Sequence, residues 1–318
     1  MPTLPKRLHT GDTIGLIAPA SAPPDPKTID RSIAALEEMG FRVKLGRNVR
    51  KRWGYLAGTD RERAEDLMKM FGDKKVNGII CARGGYGTAR LLPLLDYGVI
   101  RTGAKVFVGF SDITSLHCAF LKKCGLVSFH GPMTSASLIE EDYPEFSQRS
   151  LLKAITDANP GGSICAGYTE KTVSILRGGK VSGELIGGNL SLLCTLIGTA
   201  FQPSFRGKIL FFEDVDEKPY RFDRMLTHLA NAGLLQQVAG IAVGVCHNCE
   251  DPKAKDAGEY RQTLEDVLKE RLLPLKIPVV SGLPFGHVRF NATLPVGGRA
   301  MLDADAGDLI LTSAATHS

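Results

Sequence analysis

Through residues 1–130, short apolar runs alternate with stretches in which apolar side chains recur every three or four positions. Short runs read as buried strands and the wider period as amphipathic helices, so the pattern predicts βαβ units around a parallel sheet. Residues 13–18 (TIGLIA) form the first expected strand. Residues 28–39 follow as a helix with Ile29, Ile33 and Leu36 on one face and Gly40 at its end. Residues 41–45 (FRVKL) alternate as a strand. Thr59 or Asp60 can cap a helix through Phe71, on which Ala64, Leu67, Met68 and Phe71 share a face. Residues 76–82 predict a strand that opens into Arg83-Gly84-Gly85-Tyr86-Gly87 and a helix. Residues 105–110 predict another strand, and 113–123 a helix ended by Gly125.

The rhythm breaks over residues 135–182, which hold the acidic patch Glu140, Glu141, Asp142, a helix near 144–155 and a polar stretch through Lys180. With 318 residues exceeding one ordinary core, we expect an α/β domain over 1–150, a linker over 151–182 and a second α/β domain over 183–318. In the second domain a glycine-rich segment, LIGGNLSLLCTLIGT, leads to a strand at 208–212, a helix about 223–232 and a strand at 240–245. A helix near 260–270 and a short strand at 278–281 come next, and two short strands joined by a turn at 305–307 close the pattern.

Composition narrows the function classes. Apolar residues make up 43% and charged residues 23%, as in soluble globular domains. No stretch approaches the ~20 apolar residues of a membrane span. The opening residues lack the charged, apolar and small-residue order of a signal peptide, so a cytoplasmic protein is expected. Seven cysteines, most of them inside apolar runs, fit a reducing compartment. Cys246 and Cys249 form a lone C-x-x-C without two further ligands at zinc-binding spacing, and are read as incidental thiols. The net charge of +5 is spread along the chain; its densest cluster, residues 47–52 (RNVRKR), is one loop beside Trp53 and Tyr55. One loop is not a basic face, which argues against nucleic acid as a partner.

Candidate chemistry concentrates at the ends of expected strands. In Val108-Gly109-Phe110-Ser111-Asp112 a strand meets a helix, so a serine there can stand on a sharp turn above backbone N–H groups that favour an oxyanion. Ile113 replaces the second glycine of the G-x-S-x-G pattern, and Ser111 could equally be a plain helix cap. Arg83-Gly84-Gly85-Tyr86-Gly87 is a second glycine-rich turn, able to cradle an anion or to be purely structural. Of seven histidines, His117 lies too far round its helix to face Ser111, while His130 and His287 both follow expected strands. Glu213 ends an apolar strand and opens the run Glu213-Asp214-Val215-Asp216-Glu217, which could face a cleft, hold a divalent cation or be solvated.

Gly15-Leu16-Ile17-Ala18-Pro19-Ala20-Ser21, Gly58-Thr59-Asp60-Arg61, Ala82-Arg83-Gly84-Gly85-Tyr86-Gly87, Gly109-Phe110-Ser111-Asp112-Ile113-Thr114, His130-Gly131-Pro132-Met133, Gly187-Gly188-Asn189-Leu190, Phe212-Glu213-Asp214 and Gly286-His287 occur in that order. The set resembles the LD-carboxypeptidase family of serine peptidases, which also includes microcin C self-immunity proteins. The resemblance implies a triad of Ser111, Glu213 and His287, with oxyanion donors at the Asp112 N–H and the Gly84-Gly85 turn. It further implies a flavodoxin-like N-terminal domain, a smaller C-terminal α/β domain, a homodimer and no metal or cofactor. The family reaction releases the terminal D-alanine of a murein tetrapeptide during cell-wall recycling, and Arg83 is a candidate anchor for the substrate carboxylate. An immunity-type hydrolase would instead cleave aminoacyl adenylate analogues and stack the adenine on an inter-domain aromatic. The sole Trp is Trp53, and residues 157–182 offer only Tyr168, which favours the carboxypeptidase. A non-catalytic ligand-binding protein could use the same cleft without turnover.

Overall fold

Residues 2–251 and 262–318 are described by the computed structural model of the chain. The apolar runs of the first half become β1 (Thr13–Ile17), β2 (Arg42–Leu45), β3 (Gly78–Cys81), β4 (Val106–Gly109) and β5 (Ser128–His130), all parallel. Their spatial order, 2-1-3-4-5, is that of a flavodoxin-like sheet, in which ligands bind beyond the carboxyl ends of the strands. β3 and β4 are buried along their whole length, as strands covered on both faces must be.

Helices pack on these strands. They are α1 (Thr28–Glu38), α2 (Asp60–Gly72), α3 (Tyr97–Thr102), α4 (Thr114–Cys124) and α5 (Glu145–Thr156). A capping box starts α2, where the Thr59 side chain accepts from the Glu62 N–H and Glu62 reaches back to the Thr59 N–H. Phe71 of α2, Phe107 of β4 and Phe120 of α4 meet with ring centroids 5.0, 5.5 and 6.0 Å apart, and each buried ring contributes about 2–3 kcal/mol of transfer free energy.

A second sheet is built from β6 (Gly162–Ser163), β7 (Ser174–Arg177), β8 (Lys180–Asn189), β9 (Ile209–Glu213), β10 (Gly240–Gly244) and β11 (Val279–Leu283). Helices α6 (Leu190–Leu196), α7 (Pro219–Asn231) and α8 (Leu264–Leu272) lie between its strands in sequence. β12 (Leu294–Val296) crosses to the first sheet and pairs antiparallel with β5, after which β13 (Arg299–Asp303) and β14 (Asp308–Leu311) complete the second. The second order is β6-β14-β13-β8-β9-β10-β11-β7, parallel from β8 to β11 and antiparallel at both margins. β6 and β7 thus come from the stretch read as a linker.

Where observed elements differ from the expected ones, local chemistry explains it. After Gly87 the chain forms a 3-10 helix, Thr88–Leu94, with Pro93 withholding an N–H in its last turn. α3, which carries little periodic signal, exists because the Asp96 side chain accepts from the Gly98 and Val99 N–H groups. α7 begins at Pro219, whose fixed φ suits a first helical turn. α8 starts at a Thr263/Asp266 capping box; Tyr260 and Arg261, from the helix expected near 260–270, lie outside the described residues. Among the described residues, no helix is long and apolar enough to cross a membrane.

Candidate active site

At the carboxyl end of β4, Gly109 leads through extended Phe110 to Ser111, whose φ is +63°. A non-glycine residue in this left-handed region costs on the order of 1 kcal/mol or more and is retained where the surroundings require it. Helix capping does not require it, because an N-cap is ordinarily extended, and the residue preceding α4 is Ile113. Ser111 is half-buried on this turn. A methyl group at Gly109 would lie 2.9 Å from the Ile113 side chain, so the glycine lets the turn fold back on itself.

The turns after β1, β3 and β4 converge here. A Cβ on Gly84 would lie 3.0 Å from Ser111 Cβ and 3.3 Å from its Oγ. Gly85 has φ +104° and rests on Ser21, whose Oγ would be 2.4 Å from an added Cβ. The Ser21 N–H donates to the Gly84 carbonyl at 3.1 Å, and the Tyr86 N–H donates to Ser21 Oγ at 3.1 Å. Asp112 is buried; its Oδ2 accepts from the Thr88 N–H at 2.8 Å and its carbonyl accepts from the Thr88 hydroxyl. Burial raises the Asp112 pKa, against the opposing pull of the Thr88 and Gly87 donors and of Arg63. Arg63, itself buried, donates to the carbonyls of Pro19, Gly58 and Gly87, clamping three loops around the turn.

Glu213 ends β9 fully buried, and its Oε2 accepts from His287 Nδ1 at 2.6 Å. An ionised carboxylate only accepts, so the Nδ1 carries the proton and leaves Nε2 as the free nitrogen. Burial opposes the Glu213 charge, but the His287 charge and hydrogen bond outweigh it and hold the pKa below the usual value. Burial likewise opposes charging of His287, and Glu213, with Asp214 and Asp216 behind it, raises its pKa above the ordinary one. Gly286, at φ +119°, lets the loop lie on Glu213, whose Cβ and Oε2 would each be 3.0 Å from an added Cβ. The His287 ring stands 4.9 Å from that of Phe110, the residue immediately before Ser111. Through that contact the histidine-carboxylate pair of the second sheet meets the serine turn of the first.

Asn189, at the end of β8, has a structural position that its sequence motif alone did not assign. Its Nδ2 reaches Glu213 Oε1 at 3.5 Å and Asp214 Oδ1 at 2.8 Å, and its N–H donates to Thr114 Oγ1 at 2.9 Å. Gly188, at φ +137°, is needed for this approach, since an added Cβ would lie 2.4 Å from Thr114 Oγ1. The signal in the sequence was the Gly187-Gly188-Asn189 run at a strand end.

The acidic run disperses over separate partners. Asp214 accepts from Ser191, Asp216 accepts from Asn248 at 2.6 Å, and Glu217 pairs with Arg221 at 3.0 Å. Among the described residues, no group of three or more His, Cys, Asp or Glu side chains could hold a metal ion. His117 is buried and bonded to Ser128 Oγ and the Gly109 carbonyl, both at 2.8 Å, and burial pushes its pKa down to about 3. His130 is buried among Phe110, Phe211 and Phe285 with neither ring nitrogen bonded, and burial lowers its pKa to about 4. Arg83 is half-buried, donates to the Ala22 carbonyl at 2.9 Å and has no carboxylate partner among the described residues. Cys246 and Cys249 are free thiols.

Comparison with known proteins bears on this arrangement. Residues 14–131 match the LD-carboxypeptidase N-terminal domain and residues 182–302 the LD-carboxypeptidase C-terminal domain. A Bacillus subtilis (strain 168) protein named "probable murein peptide carboxypeptidase" is 42% identical over 301 residues, spanning 94% of this chain and 91% of its own. The crystal structure of muramoyltetrapeptide carboxypeptidase from Oxalobacter formigenes is 34% identical with a TM-score of 0.81, covering 94% of this chain and 97% of that one. The microcin C7 self-immunity protein MccF in complex with aspartyl sulfamoyl adenosine is 28% identical with a TM-score of 0.89, covering 99% and 100%. With both domain types matched in order and relatives aligned over nearly its full length, the chain belongs to the LD-carboxypeptidase family.

Proposed function

We propose that the chain is a serine carboxypeptidase that releases the C-terminal D-alanine of murein tetrapeptide in cell-wall recycling. The observation that carries this reading is the left-handed Ser111 turn abutting Phe110, against which the Glu213-bonded His287 ring is packed. In the mechanism, His287 Nε2 removes the Ser111 proton as Oγ attacks the scissile carbonyl. Glu213 holds the imidazole by Nδ1 and stabilises the imidazolium that forms. The Asp112 N–H and the Gly84-Gly85 turn donate to the oxyanion. The imidazolium then gives its proton to the departing amine, freeing D-alanine, and water attacks the acyl-enzyme by the same relay. Arg83, without a carboxylate partner among the described residues, pairs with the free carboxylate of the residue released.

Support for this substrate comes from the relatives named for murein and muramoyl peptides. The second reading, hydrolysis of aminoacyl adenylate analogues, draws on the likeness to MccF. Tyr168 is ill suited to stack an adenine, because its ring is engaged with Phe146 at 5.8 Å and Phe290 at 5.7 Å. Seven free thiols favour a cytoplasmic enzyme, and we assign it as a homodimer from the family resemblance. The deciding experiment incubates the protein with murein tetrapeptide and with an aminoacyl sulfamoyl adenosine, following both by mass spectrometry. D-alanine release that disappears in Ser111→Ala is expected; cleavage of the adenosine compound alone would replace the carboxypeptidase reading.

A further inference from the structure

His287 stands on a segment, residues 284–293, that leaves the second sheet after β11 and enters the first at β12. The segment is closed at its base, where the Ala292 N–H donates to the Pro284 carbonyl at 2.7 Å. Inside it, Asn291 is buried, and its Oδ1 accepts from the Gly286 N–H at 3.1 Å. Gly286 is the left-handed bend immediately before the histidine, so Asn291 fixes the bend that presents the ring. A helix of the other half holds the same segment. Ser147, in the first turn of α5, is buried. Its hydroxyl donates to the Arg289 carbonyl and accepts from the Asn291 N–H, both at 2.8 Å. One turn on, Ser150 Oγ accepts from the Thr293 N–H at 2.9 Å. Helix positions three apart share a face, and this face meets backbone groups of alternate residues 289, 291 and 293. An exposed pair of Arg289 with Asp142 at 3.0 Å joins the same two parts and contributes little in water.

Two anchors therefore act on the histidine. Glu213, on β9, fixes the tautomer and direction of the ring within the second sheet. That pair does not set the distance to Ser111, which follows β4 of the first sheet. The Phe110 ring, 4.9 Å away, supplies an apolar contact without a fixed direction. Ser147 supplies a directional one. Its helix belongs to the first sheet's core, where Leu151 and Ile155 of α5 are buried with Val108 of β4 and Phe129 of β5. The hydroxyl thus ties the segment that carries His287 to the body that carries Ser111.

We propose that Ser147 and Asn291 are positioning residues for the base: Ser147 docks the histidine segment on the nucleophile's body, and Asn291 passes that register to Gly286 and His287. The proposal rests on the Ser111, His287 and Glu213 reading of the site. A serine that only satisfied backbone groups would alter stability and leave the kcat of folded protein alone. The test compares Ser147→Thr with Ser147→Val, two side chains of one shape of which only the first keeps the hydroxyl. kcat and KM for D-alanine release from murein tetrapeptide are measured from pH 5 to 9, with circular dichroism giving the folded fraction. Labelling of Ser111 by a fluorophosphonate, which needs the serine and its base but no peptide, is followed alongside. Ser147→Val is expected to fall about 100-fold below Ser147→Thr in kcat and in labelling rate, the scale of a misplacement of about 1 Å. KM and the acid limb, which Glu213 governs, are expected to be the same in the two variants. Equal kcat in the two folded variants, or an acid limb that moves in Ser147→Val, overturns the proposal. Should the methyl they share keep both from folding, Asn291→Ala frees the Gly286 N–H without touching α5, and a kcat within about tenfold of the parent then overturns it. A parent protein labelled at Ser111 that releases no D-alanine removes the carboxypeptidase reading, and the labelling rates of the variants then decide the positioning role. A parent that is not labelled removes the serine-histidine reading and the positioning role with it.

Discussion

Replacing Glu213 by Gln should move the pH dependence as well as the rate. The carboxylate lies 2.6 Å from His287 Nδ1 with no exposed surface of its own, so little solvent screens it. An opposite charge in such a position favours the imidazolium and raises the histidine pKa. With His287 as the proposed base, inactive while protonated, its raised pKa should put the acid limb of the parent's kcat/KM above the ordinary 6.5. Glutamine is nearly isosteric but neutral, so the limb should move to lower pH while the plateau falls on the order of 10⁴-fold, the scale of the equivalent loss in a serine triad. The assay is D-alanine release from tetrapeptide across pH 5 to 9 for both proteins, with circular dichroism verifying that each stays folded. An acid limb at the same pH in both proteins would refute the claim that Glu213 sets the His287 proton affinity.

Ser111→Ala should lower kcat by about 10⁴-fold or more with the fold intact, since only a hydroxyl is lost from a half-buried turn; residual activity within tenfold of the parent would end the serine mechanism. His287→Ala should be comparably damaging, and a severe loss confined to His130→Ala would transfer the base role to the histidine caged by Phe110 and Phe211. Amidating the substrate's terminal carboxylate should lower kcat/KM by about 100-fold, near 3 kcal/mol, and Arg83→Ala should erase most of that discrimination; equal rates on both substrates would mean that the C-terminus is not read. Gly188→Ala should destabilise the protein by about 1–3 kcal/mol in urea unfolding, because the new methyl meets Thr114 Oγ1 at a φ that alanine avoids; an unchanged midpoint would show that this contact is not constrained.

The parallel sheet of the first half was legible because β1, β3 and β4 are continuous apolar runs and α2 has a capping box written in four residues. The edge strands were not. β6 has two residues and β7 alternates half-buried and exposed positions, so neither leaves a hydrophobic signature. β12 is three buried residues whose pairing partner, β5, lies over 160 positions away, and no local pattern reports such a contact. At the site, residue chemistry brought Ser111, Glu213 and His287 into consideration, but it left Ser111 undecided between nucleophile and cap. Its left-handed backbone, invisible in sequence, is what supports the nucleophile we propose. The acidic run shows the opposite limit. Four acids in five residues suggested one cluster, yet a strand end followed by a turn points them at Ser191, Asn248 and Arg221 separately.

On the proposed mechanism the Glu213–His287 pair is most stabilising where the enzyme is least active, and this is what gives it catalytic value. Glu213, its pKa held below the ordinary 4.5, contributes stability above that pH and loses it as pH falls through its folded value. His287, its pKa raised, contributes stability fully below 6.5 and loses it as pH rises through its folded value. Both contributions are therefore complete between about pH 4.5 and 6.5, and the ion pair itself persists beyond each limit to the folded pKa values. General-base action requires neutral His287, above its raised folded pKa, where the buried Glu213 charge is left with the Nδ1 hydrogen bond and the long 3.5 Å contact to Asn189. In the proposed mechanism, transfer of the Ser111 proton to Nε2 recreates the imidazolium, and with it the ion pair, as the tetrahedral intermediate forms. The attraction is then present in the transition state and absent from the resting enzyme, which is the condition for an interaction to lower a barrier and not merely tighten binding. Asn189 has a defined part in this arrangement. On that mechanism it supports the carboxylate during the interval without a cation, while its N–H, on Thr114, holds the end of β8, the strand beside the carboxylate's, against the helix that follows Ser111.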